Sequence, residues 1–278
     1  MPLSRLQSQI LRLLAAHRDP ESYVAESTPL LRGAFRSSDD IDIFHDREER
    51  VARAAAEDTQ ILQAEGFEIT WVRREPAIQT AEIQSGNERT RLEWVVDSDF
   101  RFFPTVKDEL FGYVLHPIDL ATNKVMAAAG RQKPGDVVDL IPIHDHILPL
   151  GAVIWAAVEK APGFTPEGLI AEIRRNSRYR EEDLRGVPTI EPIDPRTFYA
   201  RLREILGEAE AFVTRMPTEK IGLLFFKDGK VVQPNPDHLD DYTTHAGQRR
   251  GHWPTSTEIS VAMFEHYKKK PPSSLSEA

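Results

Sequence analysis

Two aspartates alternate with isoleucines in the short segment DIDIF, where Asp40 and Asp42 flank Ile41. In a β-strand, residues two apart project from the same face, so both carboxylates would share one face with their bases about 6.5 to 7 Å apart. Carboxylates at this spacing can hold a divalent cation, whereas without one a partly buried pair would repel and one acid would protonate. The acids could instead mark an exposed strand end, but Ile41, Ile43 and Phe44 indicate a strand in the core.

Predicted strands and helices surround this segment in the first part of the chain. Period-two patterns predict strands at Ser22–Ala25, Asp40–Phe44, Phe67–Arg73, Ala77–Gln84 and Thr90–Val96. Apolar residues at helical spacing predict helices over Met1–Ala16, Arg47–Glu65 and Pro117–Gly130, with another beginning near PGDVVDL. The turn SGNER between the last two strands favours an antiparallel hairpin.

Helical patterns dominate beyond Pro149. Helices are predicted over Gly151–Glu159, Pro166–Asn176 and Pro195–Thr214, followed by a hairpin in IGLLFFKDGKVVQP that turns at Asp228-Gly229. We therefore expect an α+β fold with a first domain at residues 1–149 and a mostly helical C-terminal lobe with a hairpin at 150–268. The polar tail at 269–278 is expected to be disordered.

The composition excludes several classes of function. With 35 Lys and Arg against 44 Asp and Glu, the formal net charge is -9, which argues against a protein that coats nucleic acid through its overall field. Cysteine is absent, which excludes disulfides and thiolate zinc sites. No apolar run approaches the roughly 20 residues that span a bilayer, so we expect a soluble, cytoplasmic protein without a membrane partner.

Four short motifs occur in order between Tyr23 and Leu140. Ser27-Thr28 stands at a turn, SDDID ends at Asp42, DLATNK carries Lys124, and GDVVDL supplies Asp136 and Asp139. Together these motifs resemble those of the AbiEii/AbiGii-type nucleotidyltransferase toxins, within the wider DNA polymerase beta-like nucleotidyltransferase superfamily. The resemblance implies a nucleotidyltransferase-like mixed sheet flanked by helices; residues 150–278 match only as the helical second lobe that such proteins often carry.

The resemblance implies Mg²⁺-dependent transfer of a nucleotide from a nucleoside triphosphate to an acceptor. Asp40 and Asp42 would ligate Mg²⁺, which prefers oxygen ligands and would bridge the phosphates. A third acid is usual in the superfamily, and Glu93 and Asp97 both project from the strand face opposite Trp94. Glu93 is favoured because it lies mid-strand, although a half-exposed sheet position that faces water would also suit a glutamate.

The resemblance also assigns residues to the nucleotide. Ser27 and Thr28 at the turn, and Arg36 and Ser38 in the approach to the acidic strand, are expected to bind it, since hydroxyl and amide groups suit phosphate.

Lys124 would supply a compact positive charge for the triphosphate, although most lysines on helices only extend along the surface into water. Asp136 and Asp139 lie three residues apart near a helix start, where they could simply cap the helix. The resemblance instead places Asp136 at the nucleotide. It makes Asp139 a catalytic residue, either a base for the acceptor hydroxyl or an organiser of Lys124.

Glu26 departs from the family pattern, which has glycine followed by Gly or Ser where this chain has Glu26-Ser27. Glycine lets the backbone approach phosphate closely, whereas glutamate adds a side chain and a negative charge. Two functions therefore stay open. One is an active enzyme that modifies an RNA acceptor such as tRNA, or a protein acceptor, as the toxin of a toxin–antitoxin pair. The other is a catalytically impaired nucleotidyltransferase-fold protein that acts by binding a partner.

Replacing Glu26 by glycine tests this departure. We expect Glu26→Gly to tighten binding of nucleoside triphosphate by a few-fold. Two like charges about 5 Å apart at an effective dielectric near 20 repel by roughly 3 kcal/mol before screening. The gain should shrink as salt rises, which titrations of both proteins at low and high salt would show. Unchanged or weaker binding would mean that Glu26 does not limit the nucleotide site.

Overall fold

The structure, a computed structural model, describes residues 3–25 and 40–254. Contacts within the chain divide it into two units. Unit 1 comprises Met1–His116 and Arg249–Gly251, and unit 2 comprises Pro117–Gln248 and the residues from His252 onward. The domain boundary predicted at residue 149 stays a prediction, and the tail predicted at 269–278 lies outside the described residues.

Unit 1 contains two helices and most of the strands among the described residues. Its helices are α1 (Arg5–Leu14) and α2 (Glu48–Ala64), and its strands are β1 (Ser22–Val24), β2 (Asp40–His45), β3 (Glu68–Glu75), β4 (Ile78–Ser85), β5 (Glu88–Val96), β6 (Phe100–Arg101), β7 (Val106–Asp108) and β8 (Gly112–Val114). The five longest of these elements are α1, α2, β3, β4 and β5. Their predicted positions are confirmed to within a few residues.

Unit 2 is mostly helical. Its helices are α3 (Pro117–Gly130), α4 (Pro134–Val138), α5 (Leu140–His146), α6 (Leu150–Ala157), α7 (Pro166–Asn176), α8 (Glu181–Arg185) and α9 (Pro195–Arg215). The strands β9 (Leu224–Lys227), β10 (Lys230–Val232) and β11 (Thr243–His245) form a small sheet, and β12 (Gln248–Arg249) spans the division between the units.

The main sheet of unit 1 has 7 strands in the order β3-β4-β5-β2-β1-β8-β7. The β2–β5 and β1–β8 pairs are parallel, while the other neighbouring pairs are antiparallel. This mixed sheet flanked by helices confirms the predicted α+β class.

Both predicted hairpins are present, and glycine explains their turns. β4 and β5 pair antiparallel across a turn in which Gly86 has a φ of 58°. β9 and β10 pair across Asp228 and Gly229, whose φ values are 52° and 70°. Two successive residues with positive φ are typical of the Asp-Gly turns that join two-residue hairpins.

Helix α2 covers one face of the sheet and anchors it through Asp58. The indole of Trp94 on β5 donates to Asp58 Oδ2 at 2.7 Å, and the Arg18 guanidinium pairs with the same carboxylate. Burial raises the pKa of Asp58, while Arg18 and Trp94 favour its charged form. The side of β5 that carries Trp94 is thus the inner side, and the alternate residues face away from α2.

Several short elements have no counterpart among the sequence predictions, namely β6, β7, β8, α5, α8, β11 and β12. The strands among them have two or three residues, and the helices have five and seven. Such lengths are too short to show a period, so their structure depends on distant partners.

Among the described residues, no single helix is both long and apolar enough to cross a membrane. One pair of segments, Pro134–His146 and Leu150–Lys160, passes that test only when taken together across a bend of 115°.

His45 ends β2 on the same inner face as Ile41 and Ile43. Its side chain is fully buried, and neither ring nitrogen has a hydrogen-bond partner among the described residues. Burial, reinforced by the charges of Arg18 and Arg50, lowers the pKa of His45 to about 3. The imidazole is therefore neutral at physiological pH.

This burial predicts a specific sensitivity to acid. Below about pH 6.5 the unfolded chain protonates this histidine but the folded chain does not, so its contribution to the free energy of unfolding falls by about 1.4 kcal/mol per pH unit. The fall should continue until the pH approaches the folded pKa of about 3. His45→Leu should flatten the loss of stability measured by urea unfolding between about pH 6.5 and pH 4. The exposed His17 offers a matched control, since His17→Leu should keep the wild-type slope. Coincident slopes for wild type and His45→Leu would refute the assignment.

Candidate functional site

Three carboxylates share the sheet face of unit 1 that points away from α2. Asp40 and Asp42 alternate with the buried Ile41 and Ile43 along β2. In the parallel pairing of β2 with β5, Asp42 lies beside Glu93. Neighbouring strands are about 4.8 Å apart, so the register places these two acids side by side. All three carboxylates are half-buried, which leaves them accessible from the face of the sheet.

Glu93, and not Asp97, is the acid that the register brings next to Asp42. The hydroxyl of Thr80 on β4 lies 3.5 Å from Glu93 Oε1 and donates to it. Asp97 follows the end of β5, where its backbone N–H donates to the carbonyl of His45 and its carboxylate accepts from the N–H of Ser98. Asp97 lies four positions along the chain from Glu93, which amounts to about 13 Å in extended backbone.

The residue types on this face fit a hard cation. Asp40, Asp42 and Glu93 offer only oxygen ligands, which Mg²⁺ prefers. As their side chains lie, however, no group of three or more His, Asp or Glu residues among the described residues is arranged as a metal-binding set. The face thus has suitable donors, and binding of Mg²⁺ by Asp40, Asp42 and Glu93 stays a prediction.

Lys124 lies in a buried ion-pair cluster of unit 2. Its ammonium donates to Asp136 Oδ1 at 2.9 Å and lies 3.5 Å from Asp139 Oδ2. The three side chains are only 3%, 1% and 0% exposed, respectively. Lys124 is therefore not a solvent-exposed helix lysine, and the two aspartates share a face as their spacing predicts. Two roles were predicted for Asp139, a base for the acceptor hydroxyl or a group that organises Lys124. The contact with the Lys124 ammonium favours the second role.

Arg131 completes the cluster and carried no signal in the sequence beyond its place just after the end of α3. Its Nε donates to Asp136 Oδ2 at 2.7 Å, while about half of its side chain stays exposed. Burial opposes ionisation of Asp136, but Lys124 and Arg131 outweigh it and lower the pKa of that carboxyl. At pH values above the ordinary aspartate pKa, these ion pairs therefore stabilise the fold. The stabilisation is lost as the pH falls through the lowered pKa of Asp136.

The buried Tyr179 hydroxyl has no hydrogen-bond partner among the described residues. Burial, together with the nearby charge of Asp136, raises the pKa of Tyr179 to about 12. The hydroxyl therefore stays protonated at neutral pH.

The other residues predicted to bind the nucleotide, Ser27, Thr28, Arg36 and Ser38, lie outside the described residues, as does Glu26. Of the described candidates, Asp40, Asp42 and Glu93 belong to unit 1, and Lys124, Asp136 and Asp139 belong to unit 2.

No protein-family model matches this chain, and no curated protein matches it. Several solved structures do match this chain. MenT4, a nucleotidyltransferase toxin from Mycobacterium tuberculosis H37Rv, superposes with a TM-score of 0.52 at 15% identity, over 77% of this chain and 84% of that one. The chain therefore has a nucleotidyltransferase-like fold. The narrower resemblance to AbiEii/AbiGii-type toxins stays a prediction.

A second solved structure, the Cid1 poly(U) polymerase, covers 94% of this chain and 83% of its own at 13% identity. Its TM-score is 0.28, a value too low to support any conclusion about this chain.

The burial of the Lys124 cluster predicts that removing its lysine charge will strongly destabilise the fold. Lys124→Met should lower the free energy of unfolding by about 3 to 5 kcal/mol, because it leaves Asp136 and Asp139 buried without their cation. Urea unfolding at neutral pH measures this loss. Lys133→Met is the control, since Lys133 is an exposed lysine of the same unit, and its effect should stay within about 0.5 kcal/mol. Equal unfolding midpoints for the two variants would contradict the importance of the buried pair.

Proposed function

We propose that this chain is a Mg²⁺-dependent nucleotidyltransferase that moves a nucleotide from a nucleoside triphosphate to an acceptor on RNA, such as tRNA, or on a protein. The observation that carries the proposal is the register of β2 and β5, which gathers Asp40, Asp42 and Glu93 on one accessible sheet face. The nucleotidyltransferase-like fold supports it. MenT4 is described as a nucleotidyltransferase toxin, and by analogy we propose that this chain is the toxin of a toxin–antitoxin pair.

In this proposal Asp40, Asp42 and Glu93 would hold Mg²⁺. The bound ion would neutralise charge on the phosphates and help to align the attacking and leaving oxygens. The chain contributes three oxygen ligands on a rigid sheet, whose inner side is fixed by the contact of Trp94 with Asp58. Because the ligands lie on strands, their positions do not depend on a loop.

We assign Lys124 to the phosphates of the nucleotide, with Asp136 and Asp139 as the groups that orient its ammonium. The charge of Lys124 helps to keep Asp136 ionised, because an opposite charge nearby favours the charged form of a buried carboxyl. Phosphate contact would then require the lysine to redirect a donor from its present partners to the nucleotide.

The direct test is label transfer. The protein is incubated with Mg²⁺, total RNA and each α-labelled nucleoside triphosphate in turn, and the RNA and the protein are separated and counted. Asp42→Asn should lower transfer more than roughly 100-fold, beyond the typical loss when a supporting group at a metal site is removed. Its melting temperature should stay close to that of the wild type, because the side chain is only half-buried.

Glu68→Gln provides the matched control, because Glu68 is an exposed acid on the edge strand β3 of the same sheet. This variant should transfer label at the wild-type rate. Transfer that survives Asp42→Asn, or no transfer by the wild type with any nucleoside triphosphate, would refute the proposed activity.

A further inference from the structure

Two arginines, Arg89 and Arg91, project from the carboxylate face of the sheet. Along β5 the buried residues Thr90, Leu92 and Trp94 alternate with Arg89, Arg91 and Glu93. The arginines therefore share a face with Glu93, and both are exposed. Successive positions on this face are about 6.7 Å apart, so the two cations form a short line that leads to Glu93.

Arg91 has acids on both sides and yet pairs with neither. It lies beside Asp40 on β2 and opposite Glu82 on β4. Within the described residues, the side chains of Arg89 and Arg91 form no hydrogen bond or ion pair. Arg73, on the same face of β3, differs in this respect because its guanidinium donates to Glu75 at 2.6 Å. Arg89 and Arg91 are thus available to an external anion.

The type and spacing of these groups suit a phosphodiester backbone. A guanidinium binds phosphate through two parallel N–H donors, and two of them in line can engage a ligand with repeated phosphates. The net charge of -9 gives the chain no general attraction for polyanions, so RNA would depend on local cations such as these. A protein acceptor does not carry a phosphate at every residue for them to meet.

We propose that Arg89 and Arg91 bind the phosphate backbone of an RNA acceptor beside the carboxylate site. This inference rests on the proposed function for its direction, since it makes RNA the acceptor class. The position of Arg91, one strand away from Asp40, places the acceptor backbone next to the acids that would hold the metal.

Direct RNA binding tests the inference without any transfer reaction. Fluorescence anisotropy with labelled bulk tRNA and a labelled single-stranded oligoribonucleotide is measured in Mg²⁺ without nucleotide, over a range of salt concentrations. Arg91→Gln should weaken RNA binding several-fold. It should also reduce the slope of log K against log salt by about 0.7, the value for one lost phosphate contact on a single strand. The double variant Arg89→Gln/Arg91→Gln should reduce the slope by about twice as much.

Arg53→Gln is the matched control. Arg53 is an exposed arginine on α2, which covers the opposite face of the sheet, and its substitution should leave affinity and slope unchanged. Binding of nucleoside triphosphate to Arg91→Gln should also match the wild type. Circular dichroism melting confirms that each variant is folded.

The outcomes separate this inference from the proposed function. Failure of the wild type to bind RNA would overturn the inference, as would equal effects of Arg91→Gln and Arg53→Gln. Weakened triphosphate binding with unchanged RNA binding would also overturn it, because the arginines would then serve the nucleotide. Loss of RNA binding in Arg91→Gln would support it even if no label were transferred. Label transfer to protein alone would leave the proposed activity standing and reject RNA as the acceptor.

Discussion

The parallel pairing of β2 with β5 is the constraint on which the rest of unit 1 depends. Each strand must bury one face against α2 and leave the other face accessible. The same register aligns the apolar residues on the buried face and the acids on the accessible face. Asp42 lies beside Glu93, while Ile43 lies beside Trp94 on the inner side. Since the side-chain period is two, a slip by one residue would move the acids into the core and the apolar residues out. Core packing therefore maintains the arrangement of the carboxylates.

Unit 2 depends on a different constraint, the pairing of buried charges. Lys124, Asp136 and Asp139 are almost fully removed from solvent, and isolated charges in such a setting would be strongly destabilising. Arg131 adds a second cation from the surface side. The residues that the proposed function uses are thus also residues that hold α3 and α4 together. Under the proposed function, substitutions here would change stability and activity at the same time, which is why the activity test uses half-buried Asp42 instead.

Local charge matters more in this chain than its net charge. The acids outnumber the basic residues, and most of the arginines discussed above are already paired, as Arg18 is with Asp58 and Arg131 with Asp136. Arg91 is exposed and has no ion-pair partner among the described residues, although acids lie on both neighbouring strands. In the inference above, this available cation is what points to an anionic ligand on that face.

The sequence by itself determined the longer helices and strands and which of their residues share a face. Alternation predicted that Asp40 and Asp42 share a face, mid-strand position favoured Glu93 over Asp97, and apolar residues at helical spacing predicted α3, Pro117–Gly130. These features depend on local periodicity, which a sequence shows directly.

Only the tertiary structure decided which residues meet. That Asp42 lies beside Glu93 required the parallel register of two strands about fifty residues apart, and no local pattern encodes such a pairing. The burial of Lys124 depended on the packing of α3 against the aspartates after it. Likewise, Arg73 pairs with Glu75 whereas Arg91 pairs with none of the acids beside it, a difference that the sequence does not show. Sequence patterns give the period of a segment, whereas contacts, burial and pairing arise from interactions between segments that are distant along the chain.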